Sequence, residues 1–137
     1  MAKIKVLFSD IGGVLLNNGW GHESRMKAAK HFGLDYPTMD ILHNFIFNVY
    51  EIGKISLDDY LHTVVFNKPR NFSAGTFKKF MFDQSIKLPG MIDWLISWRK
   101  RNPGVAIIAI NNEGKELNDY RIKKFGLHAC FDAFISS

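Results

Sequence analysis

Two short polar loops, each at the end of an apolar run, hold the residues of this sequence best suited to chemistry. The first run, Lys5-Val6-Leu7-Phe8, is rich in β-favouring types and passes through Ser9 into Asp10-Ile11-Gly12-Gly13. A strand that delivers a carboxylate into a glycine loop sets a nucleophile or metal ligand beside backbone N–H groups that an anion can approach closely. Chemistry on a phosphate needs that combination. The same residues also read as an edge strand and a turn, with Asp10 as a turn residue. The second run, Val105-Ala106-Ile107-Ile108-Ala109-Ile110, is unbroken, as for a central parallel strand covered on both faces, and ends in Asn111-Asn112-Glu113-Gly114. Asn111 and Asn112 can donate to an anion, or cap and turn the helix that follows. In open α/β sheets ligands gather at the carboxyl ends of the strands, where both loops belong.

The elements between must position these loops. A helical pattern covers about His22 to Phe32, with Gly33 as its stop. Pro37-Thr38 opens a second helix, with Ile41, Leu42, Phe45, Ile46 and Val49 on one face, which Gly53 ends. Ser56 and Asp59 resemble a capping box for a third, carrying Leu57, Tyr60, Leu61, Val64 and Val65. Ser73 can cap a fourth, bearing Phe77, Phe80 and Met81. Pro89 suits the first turn of a fifth, with Met91, Ile92, Leu95 and Trp98 inward. Four helices between two strands are too many for one simple crossover, so residues 17–88 are expected to form an inserted helical cap. Residues 1–16 and 89–137 would then form an α/β core with a Rossmann-like parallel sheet. Most apolar cap residues are read as bundle core. Trp20, in a glycine-flanked loop after Asp10, is either a hinge aromatic packed under the cap or a substrate contact.

In this arrangement the chain resembles the haloacid dehalogenase (HAD) superfamily. Asp10-Ile11-Gly12-Gly13-Val14 is similar to its first motif, and the strand ending Asn111-Asn112 to its second. Tyr50 to Leu61 resembles the cap segment of bacterial members, Glu116 to Leu127 the helix after the second motif, and Phe131 to Ser137 the third strand. The resemblance implies that Asp10 is the nucleophile, forming a covalent aspartyl intermediate. It implies Mg²⁺ bound by Asp10 and the Gly12 carbonyl. The N–H groups around Ile11 and Gly12, with Asn111 and Asn112, would hold the phosphate. Two positions depart from the pattern. Most phosphatase members have an acid–base Asp where this chain has Gly12, whereas dehalogenase members lack it because halide leaves without a proton. Asn111 stands where Ser or Thr is usual. A Lys and one or two acidic residues are expected after the third strand, and the sequence ends at Ser137 ahead of them. The resemblance thus implies a chain truncated before those motifs and incomplete alone. The open edge of its Asp10 strand could pair with a second copy.

A small phosphorylated substrate is therefore expected, a halogenated acid is the enzymatic rival, and a non-catalytic binding or assembly module is the third reading. The net charge of +5 is scattered in twos and threes (Lys78-Lys79, Arg99-Lys100-Arg101, Lys123-Lys124), which argues for solvated helix faces and against a nucleic-acid partner. Six residues is the longest apolar run, too short for a membrane span. No signal-peptide pattern precedes the first strand, and the single Cys130 suits a reducing cytoplasm. The five histidines show no metal-ligand spacing.

Overall fold

A computed structural model describes residues 3–136. Residues 1, 2 and 137, including the last residue of the expected third strand, lie outside the described residues. Three parallel strands, β1 (Val6–Ser9), β2 (Ala106–Asn111) and β3 (Ala133–Ser136), form a sheet in the order β1-β2-β3. Helices α1 (His22–Phe32), α2 (Tyr36–Glu51), α3 (Leu57–Val64) and α4 (Ala74–Asp83) lie between β1 and α5 (Met91–Arg101). Helix α6 (Lys115–Lys124) and a short 3-10 turn (Leu127–Ala129) join β2 to β3.

The sheet is covered on one face only, which corrects the expectation of a doubly covered β2. Ile107, Ala109 and Asn111 point inward and are buried, and Leu95 of α5 and Ile122 of α6 join the same apolar cluster. The alternate residues Val6, Phe8, Ile110 and Ile135 lie exposed on the other face. Topology explains this. Right-handed crossovers that step the same way across a sheet put their helices on the same side, and a helix reaches the other side only where the strand order reverses. The order β1-β2-β3 contains no reversal.

Local signals account for most helix ends. Gly33 stops α1 in the left-handed conformation (φ 67°), its N–H reaching back to the Ala29 carbonyl. Ser56 and Asp59 close both halves of the capping box on α3, and Ser73 caps α4 through Thr76 N–H. Each such cap is worth about 1 kcal/mol. Two ends differ from expectation. Helix α2 is capped by Asp35, ahead of Pro37, and α5 begins after Gly90 (φ 74°), with Pro89 outside the helix.

Helices α1 to α4 share a second apolar cluster, centred on Trp20, Tyr60, Phe77 and Met81. Here the reading of α2 needs correction. Its buried residues are Met39, His43 and Tyr50, while Ile41, Phe45 and Val49 face outward, Phe45 at 80% exposure. His43 and Tyr50 tolerate burial because their polar atoms are matched. Trp20 Nε1 donates to the Tyr60 hydroxyl at 2.9 Å, and that hydroxyl lies 2.6 Å from His43 Nδ1. Indole can only donate, so the Tyr60 oxygen accepts from Trp20, and the hydroxyl makes a second hydrogen bond with His43 Nδ1. Trp20, 3% exposed and edge-on to Phe77, is packed among the helices.

Burial, helped by the Arg25 charge and opposed by Asp40, lowers the His43 pKa to about 4. The unfolded chain binds this proton near pH 6.5, so the contribution of neutral His43 is complete above that pH and is lost as pH falls toward 4, by up to about 3 kcal/mol. Urea unfolding should show the native chain losing stability between pH 7 and pH 4.5. His43→Gln, which keeps an acceptor for Tyr60, should show a shallower loss; equal slopes would place the pH dependence elsewhere.

Candidate active site

β1 ends at Ser9, opposite Ala109 of β2, so Asp10 and Asn111 leave the sheet at the same edge, at the carboxyl ends of their strands. Asp10 is exposed, and one carboxylate oxygen accepts from the N–H of Ile11 at 2.7 Å. That contact orients the carboxylate and leaves its second oxygen free. It also occupies the Ile11 N–H, one of the expected phosphate donors. Gly12 behaves differently: neither its N–H nor its carbonyl takes part in a hydrogen bond among the described residues. Gly13 has φ 76°, the conformation that glycine adopts without strain, and it turns the chain so that Leu15 and Leu16 return to the core.

Asn111 is buried, its amide donating to Asn118 at 2.6 Å and its oxygen accepting the Glu113 N–H at 2.9 Å. These bonds brace the loop. Asn112 is exposed and free to donate. Asp10, Gly12, Asn111, Asn112 and Glu113 line one pocket of about 370 Å³, together with Trp20, Arg25, Phe47 and Glu51. Four of the five residues expected from the sequence thus meet in one cavity. Ile11 is buried beneath it.

The sequence reading missed four charged residues here: Arg25, Glu51 and Glu113, which line the pocket, and Arg121, which pairs with Glu113. Arg121, 1% exposed, donates to Glu113 Oε1 at 3.2 Å and to the Asn17 carbonyl, tying the loop after β1 to the loop after β2. Burial lowers the Arg121 pKa, against the opposing pull of Glu113 and Asp10. Burial also raises the Glu113 carboxyl to about 6; Arg121 opposes this, while Glu51 and Asp10 add to it. Separating a buried pair of this kind typically costs about 3–5 kcal/mol. A signal was present: Arg121 sits in the stripe with Leu117 and Ile122, where a charge requires a partner.

Helices α2 and α3 are tied to α6 beside this site. Glu116 accepts from the Leu57 N–H at 3.2 Å and from the Tyr50 hydroxyl at 3.3 Å. The segments before α1 and after α4 are also joined: Asn17 bonds the Gln84 carbonyl and the Ile86 N–H, and Leu88 N–H donates to the Leu15 carbonyl.

The oxygens near Asp10 suit a hard cation. The free Asp10 oxygen and the Gly12 carbonyl are two donors of the type Mg²⁺ prefers, and a substrate phosphate with waters commonly completes such shells. No cluster of three or more His, Cys, Asp or Glu side chains arranged for a metal occurs among the described residues. Among those residues no helix is long and apolar enough to cross a membrane.

No family model matches the sequence, and no curated protein matches it. Solved structures do. A HAD family enzyme from Bacteroides thetaiotaomicron, in complex with magnesium and inorganic phosphate, superposes with a TM-score of 0.74 at 19% identity, over 98% of this chain and 69% of that one. L-2-haloacid dehalogenase from Xanthobacter autotrophicus, with chloropropionic acid covalently bound, superposes with a TM-score of 0.58 at 11% identity, over 98% of this chain and 57% of that one. The chain therefore has the α/β fold of the HAD-like enzymes.

Proposed function

We propose that this chain is a HAD-like hydrolase which cleaves a small phosphate ester through Asp10 with the help of Mg²⁺. The observation that carries the reading is the placement of Asp10. Its carboxylate stands at a strand end with one oxygen held by Ile11 N–H and the other free, beside the unpaired N–H and carbonyl of Gly12, in the pocket that Asn112 also lines. When bound, Mg²⁺ would neutralise charge on the phosphate and orient it. Asp10 would attack phosphorus in line while the Gly12 N–H and the Asn112 amide hold the non-bridging oxygens. Water then releases phosphate and regenerates the carboxylate. A pocket of about 370 Å³ suits a metabolite-sized substrate.

Dehalogenation is the second reading, favoured by Gly12, where no side chain stands ready to protonate a leaving group. Two assays separate them. Phosphate release from a panel of small sugar and alkyl phosphates, abolished by EDTA, supports the phosphatase; chloride release from 2-chloropropionate unaffected by EDTA supports the dehalogenase. Neither activity would sink both and leave a binding module.

A further inference from the structure

The pocket holds an ionisable side chain that this reaction has not yet used. Glu113 lies two residues beyond the end of β2, and its backbone N–H is fixed by Asn111. Its Oε1 is held by Arg121, while the other carboxyl oxygen has no protein partner among the described residues. Arg121 of α6, Glu51 of α2 and Asp10 of the first loop are the charges that act on it, and Arg25 of α1, already paired with Asp40, lines the same pocket. The side chain is 18% exposed, screened from bulk water yet open to the cavity it shares with Asp10 and Gly12.

We propose that Glu113 is the general acid of this site, supplying from the second loop the proton that no side chain at Gly12 can give. The inference rests on the phosphatase reading. As the bond between the Asp10 oxygen and phosphorus forms, the bond from phosphorus to the ester oxygen breaks, and its electron pair stays on that oxygen. The Glu113 proton passes to the same oxygen, so an alcohol leaves. The Glu113 carboxylate then takes a proton from the water that attacks the aspartyl phosphate. Ester and water become alcohol and phosphate, and Glu113 ends as it began. Burial in the company of Glu51 and Asp10, partly offset by Arg121, keeps a share of this carboxyl protonated near neutral pH.

The leaving group provides the test. An alkyl phosphate needs a proton on its departing oxygen, whereas p-nitrophenyl phosphate expels a stable phenolate without one. In the full chain with Mg²⁺, Glu113→Gln keeps an oxygen for Arg121. It should lower turnover of the alkyl ester by ~10²-fold or more and that of p-nitrophenyl phosphate by only a few-fold. Gly12→Asp added to that variant should recover part of the alkyl ester activity. A Cβ at Gly12 meets nothing nearer than Asn18 Oδ1 at 3.5 Å, and no positive φ forbids a side chain there. Equal losses on both esters, or none on either, would overturn the role of Glu113 while leaving Asp10 chemistry intact. If the unaltered chain releases phosphate from neither ester, the phosphatase reading falls and this assignment falls with it.

Discussion

Asp10→Asn should lower Mg²⁺-dependent phosphate release by on the order of 10³-fold or more, the scale on which the loss of a covalent nucleophile acts. An amide oxygen is a poor nucleophile, and a neutral side chain is a weaker ligand for Mg²⁺. The fold should not suffer. The Asn oxygen can still accept the Ile11 N–H that now bonds Asp10 at 2.7 Å, and the position is exposed. Removing the charge eases repulsion with Glu113 and also removes an attraction to Arg121, two opposing effects, so the thermal midpoint should hold. Activity and melting measured on the same preparation decide the matter. Activity within ten-fold of the native chain would remove Asp10 from the nucleophile's role. A collapsed midpoint would instead make it a structural residue.

How much of this site could be read beforehand follows from what kind of information each feature carries. Asp10 and Asn111 were legible because an apolar run that breaks into a polar glycine loop is a local pattern, and parallel strands send such loops to one edge. The capping box of Ser56 and Asp59 and the stop at Gly33 were legible for the same reason. The buried face of α2 was not. That helix carries apolar residues nearly all round, and the choice fell to His43 and Tyr50, whose polar tips count against burial until Tyr60 and Glu116 are in place to satisfy them. The strand Ala106–Asn111 likewise records only its own apolar character. Whether one face or two is covered depends on the order of strands around it. Arg121 was hidden more deeply, since its partner Asn17 lies 104 residues away and its partner Glu113 lies eight residues ahead, in the loop before α6.

Gly114→Ala should destabilise the chain by about 3 kcal/mol, at the upper end of overpacking costs, although nothing in the local backbone asks for glycine. The backbone at this position has φ −57° and ψ 146°, which any residue can adopt. The reason is contact. A methyl group there would overlap the hydroxyl end of the Tyr50 phenol, which is 2% exposed, stacked on Tyr60 at 5.1 Å and hydrogen-bonded to Glu116. Such a ring cannot swing aside without uncoupling α2 from α6. Gly114 also opens α6 at the end of the Asn111–Glu113 loop, so displacement there moves the site. The midpoint should fall by roughly 10 °C for a domain of this size. Tyr50→Leu makes room at the cost of a cavity, so the double variant should lose less than the two single losses combined. An additive pair would show that the ring and Gly114 do not meet; a strongly coupled one would identify this contact as the joint through which α2 holds the second site loop.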